Sequence, residues 1–232
     1  MSPAEDPVGG APDPAGLAQR VERAWQRVVD AGGDPAAITL VAVTKGFGPE
    51  VALAAARAGL DDLGENYAQE LVAKAPELEA AGLAPRWHAI GRLQRNKVRA
   101  LAPVVHLWQS VDSERLGAEI ARRAPGARVL VQVNVSDEPQ KGGCSPEGTG
   151  DLVARLADVG LQVDGLMTVG RTGGADAARA GFATLRGLAD RLDLPVRSMG
   201  MSADLEAAVA EGTTMIRLGA ALFGPRPPRP EP

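Results

Sequence analysis

Short apolar segments alternate with helical patterns along this chain, and that alternation restricts its fold more than any other feature. The segments that read as strands are Ile38–Thr44, Asp62–Gly64, Trp87–Ile90, Val104–Trp108, Arg128–Val135, Gln162–Thr168, Pro195–Met199 and Thr214–Leu218. Between them, helical stretches cover Pro49–Gly59, Tyr67–Ala80, Asn96–Leu101, Ser113–Ala124, Thr149–Val159, Ala175–Leu192 and Ala203–Ala210. Parallel strands need crossover connections, and these are usually helices, so the pattern argues for a parallel sheet. Eight strands in 232 residues, slightly under the ~250 typical of the fold, predict an α/β protein with a single (β/α)8 TIM barrel. An open, doubly wound sheet is the competitor. It would be supported by G-x-G-x-x-G after the first strand, and none is present there. An extra N-terminal helix is predicted over Ala15–Ala31, where Leu17, Val21, Trp25 and Val28 recur at helical spacing and Gly32-Gly33 stops the run. Residues 1–14 combine Pro, Gly and acid without periodicity and read as a disordered tail. The barrel domain is expected over 15–226, with a frayed Pro-rich tail at 227–232.

Composition excludes several function classes. A formal charge of −4 gives no bulk attraction to nucleic acid or to an anionic membrane, so any phosphate binding must be local. The single cysteine, Cys144, rules out an internal disulfide and suits a reducing cytoplasm. His88 and His106, with that cysteine, have no metal-ligand spacing, and no metal site is expected. No apolar run approaches the ~20 residues needed to span a bilayer, and the N-terminus lacks a secretion-signal pattern. A cytoplasmic location is the expectation.

In a barrel, functional groups gather at the C-terminal ends of the strands. The first strand, a β-branched run suited to a buried parallel sheet, stops at Lys45 and opens into Gly46-Phe47-Gly48-Pro49. A lysine partly desolvated at that rim has a lowered pKa and the neutral, nucleophilic fraction that Schiff-base chemistry requires. The plainer reading is a loop lysine whose stem covers a neighbour. Ser202 lies near the expected start of a helix, where free N–H groups favour an anion, and Gly219 permits a close backbone approach after the eighth strand. Together they form a candidate phosphate cradle, and Ser202 can cap the helix at the same time. Arg217 sits inside the apolar strand Met215–Leu218 and must find a partner. A ligand acceptor and a carboxylate such as Glu65 are equal candidates. His88 is expected to be simply hydrogen-bonded, and His106 is treated with the same caution. Nothing supports a hydrolytic triad. The basic run Arg92–Arg99 reads as a solvated loop and helix start.

Six motifs then agree with one family. Val41-Ala42-Val43-Thr44-Lys45, Gly64-Glu65-Asn66-Tyr67, Trp87-His88-x-Ile90-Gly91-x-Leu93-Gln94-x-Asn96-Lys97, Gly165-Leu166-Met167-Thr168, Ser198-Met199-Gly200-Met201-Ser202-x-Asp204 and Arg217-Leu218-Gly219-x-x-Leu222-Phe223-Gly224 resemble the pyridoxal phosphate homeostasis proteins. These are related to the N-terminal barrel of alanine racemase. The resemblance implies that Lys45 holds pyridoxal 5′-phosphate (PLP) as a covalent aldimine. It implies that Ser202 and the amides of Met201, Gly219 and Ala220 cradle the phosphate, that Arg217 faces the pyridine nitrogen, and that Asn66 lines the cofactor near the lysine. An arginine there disfavours ring protonation, leaving a weaker electron sink than a carboxylate would. The sequence ends just after its last strand and has one tyrosine, Tyr67, so a cofactor carrier or regulator in intracellular PLP homeostasis is expected rather than an efficient enzyme. A weak PLP-dependent racemase and a cofactor-free Schiff-base aldolase are the alternatives. Departures from the family fall at Ala89, Arg92, Arg95 and the loop 137–144, where Lys141 is a candidate secondary lysine. Transient contact with PLP-requiring apo-enzymes and a monomeric state complete the expectation.

Overall fold

A computed structural model describes residues 12–136, 138 and 141–227. Its strands are β1 (Thr39–Val43), β2 (Asp62–Glu65), β3 (Arg86–Ala89), β4 (Val105–Val111), β5 (Arg128–Gln132), β6 (Gln162–Met167), β7 (Val196–Ser198) and β8 (Met215–Leu218). They form a closed barrel in sequence order, all parallel, with β8 returning to β1 through the pairs Leu40–Ile216 and Val41–Arg217. The helices are α1 (Pro14–Asp30), α2 (Pro49–Arg57), α3 (Ala68–Ala80), α4 (Arg95–Leu101), α5 (Glu114–Arg123), α6 (Thr149–Asp158), α7 (Ala175–Arg191), α8 (Leu205–Ala210) and α9 (Ala220–Phe223).

Alternation along β1 shows why the sequence closes this way. Leu40 and Ala42 join the large aliphatic core between barrel and helices. Val41 points the other way, into a small lumen cluster with Leu107, Leu130, Met167 and Met215. Registered neighbours on parallel strands share a face, so the Val41–Arg217 pair puts the arginine inside the barrel as well.

The predicted α1 starts one residue early. Asp13 accepts from the Gly16 amide at 2.9 Å and caps the helix, and Pro14 takes the first-turn position that suits proline. The expected tail therefore ends in an ordered cap. Residues 1–11 and 228–232 lie outside the described residues. Leu17 and Val28 of α1 are fully buried, contributing roughly 1.5–3 kcal/mol each. The helix packs on α8 and α9, which carry one side of the barrel mouth.

Two strand boundaries shifted for a physical reason. The fourth strand was expected to stop at Trp108, where apolar residues give way to Gln109-Ser110. It continues to Val111 because both polar side chains find partners: Ser110 Oγ donates to the Gly91 carbonyl at 2.6 Å, and Gln109 bonds inside the lumen. The pairing of β4 with β5 shifts between Trp108 and Val111, an extra-residue irregularity of the β-bulge type. The fifth strand stops at Gln132, and only an isolated bridge, Val133–Cys144, continues it. The terminal α9 was not expected from the sequence.

Candidate functional site

Lys45 follows β1 as the second residue of a tight turn. The Phe47 amide donates back to the Thr44 carbonyl at 3.2 Å, and Gly46 has φ 75°, a left-handed conformation that suits glycine. Beneath the turn lies a buried ionic floor. Lys74 of α3, 2% exposed, sends Nζ to Glu65 Oε1 at 2.5 Å and to the Thr44 carbonyl at 2.8 Å. Glu65, 1% exposed, also accepts from Thr44 Oγ1 at 2.7 Å, while Glu70 accepts from the Gly46 amide at 2.7 Å. The turn is thus held on both sides of Lys45. The Lys45 ammonium itself makes no hydrogen bond or ion pair among the described residues. Burial, followed by repulsion from Arg226 and Arg217, lowers its pKa. Glu65 and Glu70 oppose the shift without reversing it. That is the condition a nucleophilic lysine needs.

Arg217, 4% exposed, donates from Nη1 to Ser198 Oγ at 2.6 Å and from Nη2 to the Thr168 carbonyl at 2.7 Å. Glu65 is not its partner: that carboxylate takes Lys74 and Thr44, both on Oε1. Both bonds of Arg217 go to neutral groups. Burial pulls its pKa down to about 10, with Asp204 acting in the opposite sense through charge alone. A buried guanidinium without a contacting carboxylate can take a neutral acceptor, such as a ring nitrogen, with its unused N–H donors.

The other side of the mouth is braced by α1. Arg27 Nη2 donates to the Ser202 carbonyl at 3.0 Å while its guanidinium pairs with Glu206, and Arg20 Nε donates to the Leu222 carbonyl at 2.5 Å. Ser202 does not cap α8, contrary to expectation. That helix starts at Leu205 with Asp204 as its N-cap residue. Ser202 Oγ instead accepts from the Ala221 amide of α9 at 3.2 Å. The Met201 amide is also engaged, donating to Asp204 Oδ1 at 2.6 Å. In α9 the Leu222 and Phe223 amides turn back to the Gly219 carbonyl, so Ala220 offers the first N–H of the helix at this mouth. At Gly219 a Cβ would approach the Val43 carbonyl to 3.2 Å, a tight fit that favours glycine.

The remaining candidates spread around the rim. Asn66 and Tyr67 line a 710 Å³ depression with Arg92, Arg95 and Lys97, so the basic run borders the rim near Asn66. Arg92 and Arg95 are exposed, as a solvated loop requires. Tyr67, the N-cap residue of α3, is 40% exposed. Lys141 is ion-paired with Glu138 and donates to the Gly170 carbonyl at 2.6 Å, beside a loop whose residues 137, 139 and 140 lie outside the described set. His88 is buried between Asp62 and Gln109, hydrogen-bonded as expected. His106 approaches Arg128, and its pKa is lowered by partial burial and by that charge. Cys144 is half-buried, and burial pushes its thiol pKa up, away from reactivity. No group of three metal-ligating side chains occurs among the described residues. Sequence reasoning missed Lys74. The available signal is its i,i+4 spacing from Glu70, which marks a helix pair but not that α3 turns both beneath β1.

Residues 18–227 match the family described as alanine racemase, N-terminal domain. The pyridoxal phosphate homeostasis protein of Pseudomonas aeruginosa is 41% identical over 220 residues, 91% of this chain and 94% of the relative. The structure of PipY from Synechococcus elongatus with PLP bound superposes with a TM-score of 0.78 at 32% identity, covering 90% of this chain and 100% of PipY. Alanine racemase from Corynebacterium glutamicum has a TM-score of 0.68 at 18% identity, over 91% of this chain and 60% of the racemase, a likeness of fold alone.

Proposed function

Since the chain belongs to the pyridoxal phosphate homeostasis protein family, on the barrel of the alanine racemase N-terminal domain, we propose that it binds PLP at the barrel mouth. It holds the cofactor through Lys45 as a Schiff base and serves intracellular PLP homeostasis as a carrier or regulator. One observation carries this reading: a lysine of lowered pKa, without a hydrogen bond among the described residues, shares the mouth with a buried arginine that no described carboxylate touches.

The donor set fits the ligand. PLP supplies an electrophilic carbonyl and, when its ring nitrogen is protonated, an electron sink. Lys45 Nζ provides the nucleophile, kept partly neutral by burial and by Arg226 and Arg217. The spare donors of Arg217 suit an unprotonated ring nitrogen, and its charge opposes a proton there. Ser202 with the Gly219 and Ala220 amides takes the phosphate. Met201 contributes through its position, since its amide is already bound to Asp204. Asn66 takes the place near the lysine that the family resemblance implies, and on its outer side it borders the rim depression with Tyr67 and Arg92.

Holding rather than turning over follows from the same residues. Arg217 leaves the ring a poor electron sink, and the sole tyrosine, Tyr67, stands at the outer rim as the N-cap residue of α3. The match to the alanine racemase N-terminal domain family makes a weak racemase the second reading. The reading includes a monomer in the cytoplasm that meets PLP-requiring apo-enzymes transiently and binds neither nucleic acid nor membrane. The net charge of −4, and the lack of a membrane-length apolar helix among the described residues, support the last two points.

Titrating the purified protein with PLP and following absorbance tests the reading. Saturable uptake, a yellow protein and α-proton exchange of amino acids no faster than with free PLP are expected. A protein that takes up no PLP refutes binding. Exchange well above free PLP, abolished by Lys45→Ala, replaces the carrier with the racemase.

A further inference from the structure

A chain of buried hydrogen bonds runs from Arg217 through the barrel to its opposite end. Arg217 Nη1 lies 2.6 Å from Ser198 Oγ, and that hydroxyl lies 2.7 Å from Gln109 Oε1. Gln109 Nε2 lies 2.7 Å from His88 Nδ1, and His88 Nε2 lies 2.9 Å from Asp62 Oδ1. Arg86 closes the series with a two-pronged contact to Asp62, Nε to Oδ1 at 2.8 Å and Nη2 to Oδ2 at 2.7 Å. Asp62 and Arg86 open β2 and β3, so this end lies at the N-terminal face of the barrel, away from Lys45. Ser198, Gln109 and His88 are almost fully buried, and Val41, Leu107, Leu130, Met167 and Met215 form the apolar lumen cluster of the same barrel.

Each link fixes the direction of the next. A guanidinium only donates, so Ser198 Oγ accepts from Arg217 and must send its own proton elsewhere. Gln109 Oε1 receives it, which turns the amide nitrogen toward His88. His88 Nδ1 must then carry a lone pair, leaving the ring proton on Nε2 for the Asp62 carboxylate. Gln109 Nε2 also donates its second hydrogen to Met215 Sδ, with the nitrogen 3.1 Å from the sulfur. The irregularity in β4 falls at this residue and helps aim Gln109 into the lumen. In an apolar lumen a broken link leaves polar atoms unpaired, so the chain holds as a unit.

We propose that Ser198, Gln109, His88 and Asp62 are positioning residues for Arg217, orienting its guanidinium from the far end of the barrel so that its spare donors face the cofactor ring. The proposal rests on PLP as the ligand of the mouth, and it assigns to residues remote from PLP an influence on its electronic environment. Arg217 has five N–H donors; the two bonded to Ser198 and Thr168 fix the plane of the guanidinium, and that plane decides where the other three point.

Two measurements test it. In the wild-type protein without added PLP, nitrogen-15 NMR of the His88 ring should show Nε2 protonated and Nδ1 bare. A proton on Nδ1 overturns the proposal whether or not PLP binds. With PLP added, Gln109→Met and Ser198→Ala should each shift the absorption band of the bound cofactor and raise its Kd roughly tenfold, while Ser198→Thr, which keeps the hydroxyl, restores the wild-type band. Folded Gln109→Met and Ser198→Ala proteins with wild-type band and Kd also overturn it. A wild-type protein that takes up no PLP sinks the functional reading, and with it the orientation toward a ring, whereas a failed chain leaves PLP uptake by the wild type intact.

Discussion

Replacing Lys74 with methionine isolates the ionic floor under Lys45. Lys74 and Glu65 are 2% and 1% exposed, with Nζ 2.5 Å from Glu65 Oε1 and 3.5 Å from Glu70 Oε2. Methionine keeps a long flexible stem, so the change is mainly ionic. Removing one partner of a buried pair leaves the other uncompensated, at a cost of roughly 3–5 kcal/mol. Glu65 has one escape, which is to bind a proton. Making an ordinary carboxyl neutral at pH 7 costs about 3.4 kcal/mol at 1.36 kcal/mol per unit, so the loss should fall at the low end of that range. The escape also sets the pH dependence. Burial already raises the Glu65 pKa in the native protein, and without the ammonium it rises further. A folded state that holds this proton more tightly than the unfolded chain loses stability as pH rises through and above the ordinary carboxylate range. Acidification from pH 7 to 5 should therefore return up to about 2.7 kcal/mol of the variant's deficit relative to wild type. Urea denaturation followed by tryptophan fluorescence at several pH values measures this directly. The double variant Lys74→Met/Glu65→Gln, with neither charge, should recover most of the loss at pH 7. A single-variant deficit below about 1 kcal/mol at pH 7, or one equal at pH 5 and 7, would refute the reasoning.

Three other outcomes follow from the geometry. Reductive methylation of Lys45 in the PLP-free protein should titrate below an ordinary lysine, and Arg226→Ala should move the midpoint upward by removing a repelling charge; a midpoint unmoved by that change contradicts the assignment. Ser202→Ala should weaken PLP retention by roughly 1–2 kcal/mol while the protein stays folded, and unchanged affinity would put the phosphate elsewhere. Gly91→Ala would bring a Cβ to 2.3 Å from the Asn66 carbonyl oxygen and 2.6 Å from its Cα, so urea denaturation should reveal a loss of roughly 1–3 kcal/mol, and wild-type stability would show that the loop yields.

The barrel was legible because its signal is periodic and repeated: apolar segments bounded by glycine and proline, separated by amphipathic helices. Lys45 and Arg217 stood out as candidates because a charge at the end of an apolar strand, or within one, needs an explanation, and the structure places both at the barrel with lowered pKa values. What the sequence hid depends on tertiary register. Glu65 faces Lys74 rather than Arg217 because α3 lays its second-turn lysine under the β1 turn, which the spacing of Glu70 and Lys74 cannot reveal. Gln109 looked like the end of a strand, because an added residue in β4 decides which way its side chain points. Ser202 bonds to α9, a four-residue helix too short to produce a periodic pattern. Asp204, two residues on, takes the capping position assigned to Ser202.

The central claim is that Lys45 carries PLP, and borohydride reduction followed by mass mapping tests it most directly. Reduction of the PLP-loaded protein should fix a phosphopyridoxyl group on the peptide containing Lys45, and Lys45→Ala should abolish the adduct there. An adduct on Lys141 or another lysine with Lys45 unmodified, or no adduct at all, would contradict the account.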